Sequence, residues 1–187
     1  MSMRNSLKVR SSVLIGIFTA LLALCAYIHV PYPPISFTLQ TFGIYLCLFC
    51  LGTKKCVVCL SVYTLMGIIG VPVFSGFQGG IGALLGATGG FILGFIPTVL
   101  LASLFIKLFG KTSTRFYLCA LLSLPLCYAI GCVWFVAVYL GDISVKNFIY
   151  AFTVCVLPYV LPDAVKLLLA SLLGARVEKI LKLKDRA

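Results

Sequence analysis

Leu157-Pro158-Tyr159-Val160-Leu161-Pro162-Asp163-Ala164-Val165-Lys166 opens the last hydrophobic stretch of the chain and decides how the rest is read. Two prolines in five residues predict a bend over 158–162. A helix is the natural continuation after Pro162, because proline is tolerated in a first turn. On that helix Asp163 and Lys166 stand at i and i+3 and share a face. Ala170 and Gly174 extend the same face with small, closely packable side chains. A charge at the centre of a membrane helix costs ~2.5–3.5 kcal/mol on insertion scales, so an embedded acid and base face a cavity or a partner. The pair either pins two helices by neutralising itself or forms a substrate site. The second reading is preferred, since ionisable groups inside a membrane are functional by default.

The composition embeds this stretch in lipid. The 187 residues are 62% hydrophobic and 10% charged, more apolar than a soluble domain requires, with runs approaching the ~20 residues that span a bilayer. The expected fold is an all-α integral membrane protein of six transmembrane helices with both termini cytoplasmic. It forms a single domain over residues 1–187. A net charge of +11 would suggest nucleic acid in a soluble protein, but here its placement reports topology. Thirteen of the fifteen Lys and Arg fall in a cytoplasmic tail (1–10), around Lys54 and Lys55, from Lys107 to Arg115, and in a basic tail (175–187). Those are the two ends and every second loop, the positive-inside pattern for an even number of spans. Affinity for anionic lipid is secondary.

Several motifs dissolve on inspection. Cys47-x-x-Cys50 and Cys56-x-x-Cys59 double a C-x-x-C, yet their spacer is far shorter than the ~15–20 residues of a zinc ribbon. Buried packing is the better account of these cysteines, and no metal is expected. Gly80-x-Gly82 lacks the third glycine and the βαβ setting of a dinucleotide site. The first apolar run is too long for a secretory signal peptide, and more spans follow it. Enzyme chemistry is poorly served. The single histidine, His29, lies in a proline-rich turn and cannot activate a nucleophile, and Asp163 is the one embedded carboxylate. A channel, a proton-coupled carrier and a structural scaffold complete the rival readings.

In chain order, the spans are expected at about 11–28, 38–52, 56–69, 90–109 and 116–140, with a half-helix at 148–157 leading into the bend and a sixth span to Gly174. Pro125 and Gly131 should interrupt the fifth. Gly16, Ala20 and Ala23 give the first span a small-residue side that lets another helix approach. Ser36, Thr38, Gln40 and Thr41 alternate with aromatic residues ahead of the second span. A long glycine-rich, uncharged outer loop covers 72–90, between helices 3 and 4. Irregular backbone there survives only if buried in protein or lining a cavity, and its N–H groups could cup an anion. These stretches and the Asp163 face all lie toward the outer half. Together they describe a pocket for a small, largely apolar ligand with a few hydrogen-bonding groups.

Four elements carry a family likeness. They are Phe37-Thr-Leu-Gln-Thr-Phe42, Gly67-Ile-Ile-Gly-Val-Pro-Val-Phe74 leading to Gly79-Gly80, Gly86-Ala-Thr-Gly-Gly90, and Leu157-Pro-Tyr followed by Asp163-x-x-Lys166. In this order and spacing the chain resembles the BioY proteins, biotin-binding S components of energy-coupling factor (ECF) vitamin transporters. That family usually has Gly-Pro-Thr-Gly-Gly at 86–90, and often Pro-Gly-Asp at 161–163. Both departures touch loop shape and remove no polar group. The resemblance implies a six-helix fold in a bacterial cytoplasmic membrane, no cofactor, and biotin as the transported ligand. It implies a transmembrane coupling protein and two ATP-hydrolysing subunits as partners, with the coupling protein docked at Gly16, Ala20 and Ala23. The chain itself has no phosphate-binding Gly-x-x-x-x-Gly-Lys-Ser/Thr loop. Another small vitamin-like substrate, carried without ATPase partners, is the alternative. On this reading biotin lies against Asp163, Lys166, Phe37, Gln40, Phe74, Phe77, Gln78, Thr88 and Phe91. The acid and base would hold its ureido head, and its carboxylate would lie near the glycine loop. The competing arrangement has Lys166 neutralising that carboxylate.

Overall fold

The computed structural model describes residues 3–183, with side chains from 9 to 180. The side chains of Arg4, Lys8, Lys182, Lys184 and Arg186, counted above as inner charges, lie outside the described residues. Among the described residues, five helical stretches are long and apolar enough to cross a membrane. In chain order, α1 (Met3–Tyr27) leads to a two-stranded antiparallel ribbon of β1 (His29–Val30) and β2 (Phe37–Thr38). Then come α2 (Gln40–Ile68), the short α3 (Ile81–Leu84), and α4 (Gly89–Phe109). A π-helical turn (Phe135–Leu140) prolongs α5 (Ser113–Trp134), and α6 (Val145–Cys155) and α7 (Leu157–Leu183) complete the chain.

One of these stretches is a hairpin. Gly52 has φ +74°, a conformation that L side chains avoid, and there the two limbs of α2 turn back on each other. The Cys56 thiol donates to the Ile44 carbonyl at 3.7 Å, and Gln40 Nε2 donates to Tyr63 Oη at 2.7 Å. A straight helix would hold those pairs ~18 and ~35 Å apart. Among the described residues there are therefore six long limbs. The reversal needs one residue, Gly52, rather than the expected turn over 53–55, since Lys54 and Lys55 already belong to the second limb.

Other local expectations change. The break before the last limb lies at Val156 (φ −120°, ψ −60°), not over 158–162, and α6 starts at Val145, earlier than 148. Pro158 sits in the first turn of α7, where no N–H is required, and Pro162 forfeits only the bond to the Pro158 carbonyl. Likewise α5 runs through Pro125 and Gly131. Gly131 serves close packing, because a Cβ there would overlap the Phe91 ring of α4. Residues 3–10 and 175–183, expected as tails, continue α1 and α7 as helix. The glycine-rich stretch is partly ordered by a 3₁₀ turn at Ser75–Phe77 and by α3.

Tyr45, Tyr63, Phe116 and Leu167 are among the large fully buried side chains between the limbs. At the end marked by Gly52, Lys111 Nζ donates to the Phe49 carbonyl at 2.7 Å and pairs with Glu178 at 2.8 Å. That bond caps the first limb of α2 and fastens it to α7. Gly174 packs on the Phe49 ring at the same level. Anchored in this way, α7 presents its opposite end to a cavity.

Candidate functional site

Along α7, Tyr159, Asp163, Leu167 and Ala170 recur at helical spacing, and all are buried. Asp163 therefore faces the protein and not the bilayer. Its carboxylate is held from two sides. Lys166 Nζ donates to Oδ1 at 2.8 Å, and Tyr128 Oη, from α5, donates to Oδ2 at 2.7 Å. The side chains of Lys166 and Asp163 are 12% and 7% exposed, so the pair is desolvated and each charge depends on the other. The carboxylate has about four lone-pair sites, and these two bonds use two of them; Lys166 keeps two further N–H donors. An acceptor and a donor thus stand side by side, with capacity to spare.

The cavity beside them takes its walls from the ribbon, the glycine-rich stretch and helices α2, α4, α5, α6 and α7, with none from α1 or α3 among the described residues. Ile35 and Ser36 come from the ribbon turn, Gln40 and Tyr45 from α2, and Ser75 from the glycine-rich stretch. Thr88, Phe91 and Phe95 come from the start of α4, and Tyr159 from α7. Several of these polar groups are already engaged. Gln40 Oε1 accepts from Thr38 while its Nε2 donates to Tyr63, which donates to the Val73 carbonyl. Tyr45 Oη and Ser123 Oγ are 2.6 Å apart. The Tyr159 hydroxyl donates to the Ile35 carbonyl and its ring stacks on Phe37, so α7 holds the ribbon over the cavity. Ser75 Oγ, at the glycine-rich wall, and Thr98 Oγ1, on α4, are different. Both are buried and have no hydrogen-bond partner among the described residues. A buried unpaired hydroxyl costs ~1–3 kcal/mol, which a ligand group would recover.

Of the residues singled out from the sequence, Asp163, Lys166, Gln40, Thr88 and Phe91 line this cavity. Phe37 stands behind it, 4.3 Å from the Tyr159 ring. Phe74, Phe77 and Gln78 are outside it. The Phe74 ring is turned inward against Gly67 and Tyr63 because the glycine leaves room for it. Phe77 is exposed and stacks on Tyr27 at 4.3 Å, while the Tyr27 hydroxyl donates to the Pro72 carbonyl. The Gln78 carbonyl accepts from the Phe74 N–H at 3.0 Å, closing the loop tip with the Gln78 side chain outward. Tyr128, Ser75 and Tyr45 escaped the sequence reading. A hydroxyl-bearing aromatic midway along an apolar span, away from any interface, is the one signal that could have flagged Tyr128. Gly16, Ala20 and Ala23 line a shallow surface groove of about 320 Å³ between α1 and the second limb of α2.

The model of the BioY family matches residues 2–183. The chain belongs to the BioY family. Among its relatives, the biotin transporter BioY of Thermotoga maritima is 36% identical over 173 residues, covering 92% of this chain and 98% of that protein. The probable biotin transporter BioY of Pyrococcus horikoshii is also 36% identical, with the same coverage. A crystal structure of the S-component for biotin from an ECF-type ABC transporter superposes with a TM-score of 0.78 at 22% identity, covering 95% of each chain. That likeness bears on the fold: the limbs are arranged as they are in that S-component. The chain is thus a multi-pass membrane protein, and membership of a family whose relatives are named as transporters fits a protein that binds its ligand without transforming it.

Proposed function

We propose that this BioY-family chain captures biotin and carries it across the cytoplasmic membrane as the S component of an ECF transporter. The observation that carries the reading is the Asp163–Lys166–Tyr128 cluster, a desolvated acceptor and donor side by side on one wall of a cavity. Biotin's ureido head has two N–H donors and one carbonyl. The spare lone pairs of Asp163 match the donors, and a spare Lys166 N–H matches the carbonyl. Phe91 and Phe95 suit the apolar body. The ligand carboxylate belongs away from Asp163, because like charges repel strongly in a low-dielectric site. Ser75 and the N-terminal end of α4 at Thr88 favour it there, since a helix start carries partial positive charge. The free volume of the cavity is about 80 Å³, well below the ~300–1,000 Å³ of ligand pockets. Binding therefore requires the irregular segments that carry Ile35, Ser36 and Ser75 to part.

Detergent-solubilised protein offered radiolabelled biotin should bind it saturably, one molecule per chain, with full displacement by unlabelled biotin. Absence of displaceable binding would remove the proposal. The six limbs would place both termini on the cytoplasmic side. A reporter fused after Arg186 should then be inside, and a cysteine-free variant carrying one new cysteine within 78–82 should react with an impermeant thiol reagent from outside.

Energy would come from partners, a transmembrane coupling protein and two ATP-hydrolysing subunits. The surface groove at Gly16, Ala20 and Ala23 is where the coupling protein would dock. Gly16 and Ala20 are exposed, and a Cβ on Gly16 would meet open space. Ala20→Trp should therefore leave biotin binding intact while abolishing uptake driven by the ATPase partners. Equal loss of both activities would show that Ala20 packs within the protein.

A further inference from the structure

The molecule carries a second, larger hollow that the biotin reading does not use. On α5, Pro125, Ala129 and Cys132 follow one another at spacings of four and three along one face. Opposite them Phe152, Val156 and Val160 keep a steady spacing of four through the break at Val156. Between the two rows lies a groove of about 750 Å³ with no charged residue in its lining. Its origin is local. The half-helix α6 is eleven residues long, so it covers only part of α5, and Ala129 offers no bulk to fill the gap.

We propose that this groove binds an acyl chain of a membrane phospholipid. Three observations lead there. The groove opens onto the apolar outer surface, since its own lining residues Phe152 and Val160 are 52% and 46% exposed. Water is a poor occupant, because an ordered water needs two to four polar partners and these walls supply almost none. An empty groove is no better, since its lining atoms would forfeit their dispersion contacts. A hydrocarbon chain from the adjoining bilayer meets every requirement.

The site also touches the polar cavity. Leu124 and Tyr128 line both hollows, and Tyr128 is the residue whose hydroxyl holds Asp163. A bound chain would therefore touch the same tyrosine that holds Asp163.

Native mass spectrometry of the full-length protein in detergent tests the idea without using biotin. The unaltered chain should retain one phospholipid through delipidation. Ala129→Trp, which fills the groove, should retain at least tenfold less, and Ala129→Leu an intermediate amount. Should the tryptophan variant fail to fold, a phospholipid bearing a diazirine on its acyl chain, reconstituted with the unaltered protein, should crosslink chiefly to peptides covering 121–132 and 148–160. Equal retention by all three proteins would overturn the assignment. So would crosslinks spread evenly onto the α4 belt at Leu100 and Leu104, or dimer masses that vanish with Ala129→Trp and reveal a second copy as the occupant.

Discussion

Asp163→Leu should abolish biotin binding and destabilise the protein together, whereas Asp163→Leu combined with Lys166→Met should recover the stability and not the binding. In the single variant Lys166 is left as a buried, uncompensated cation and the Tyr128 hydroxyl loses its acceptor. Breaking a buried pair by removing one partner costs ~3–5 kcal/mol, while replacing both partners by apolar groups is often neutral. Binding follows a different rule. Each ligand hydrogen bond to a charged group contributes ~1.5–3 kcal/mol. Two N–H groups donated to Asp163 would therefore be worth at least a hundredfold in affinity, at about 1.4 kcal/mol per tenfold. Thermal unfolding in detergent and equilibrium biotin binding, measured on both variants, separate the two roles. A double variant that binds biotin normally would make the pair a helix pin.

Lys166→Met, compared against biotin and an uncharged biotin amide, should weaken both ligands alike, by ~10–100-fold for the loss of one charged donor. The geometry underlies this expectation. Lys166 Nζ already lies 2.8 Å from Asp163 Oδ1, so both groups address the same part of a bound molecule, and Asp163 repels the carboxylate end. If the amide binds normally while biotin collapses, Lys166 serves the carboxylate and the ligand is reversed in the cavity. Ser75→Ala is a useful companion, because its unpaired hydroxyl lies on the wall assigned to the tail.

What could be read from the chain and what could not divide along a physical line. Asp163 and Lys166 share a face because a helix brings i and i+3 together whatever surrounds it, so their partnership was legible from spacing. Tyr128 is 35 residues from Asp163 in the chain. Its bond exists because α5 crosses α7 at a particular height, and no local pattern encodes that. The outward positions of Phe77 and Gln78 have the same explanation. In the sequence they sit among the glycines that edge the cavity, yet Tyr27 and the backbone pairing of Phe74 with Gln78 decide which way they turn.

By itself the sequence determined that the protein lives in a membrane, because its apolar runs and the placement of its basic residues answer to the solvent and not to neighbouring helices. It also determined that an acid and a base meet on the last limb, and its motifs carried the BioY likeness. Only the tertiary structure decided that Gly52 alone makes the reversal expected there, that Val156 rather than the prolines breaks the last limb, and that a tyrosine from α5 completes the Asp163 cluster. The reason is one of range. Burial in lipid and helical spacing are properties of consecutive residues, whereas close helix crossings depend on which side chains, distant in the chain, leave room for one another.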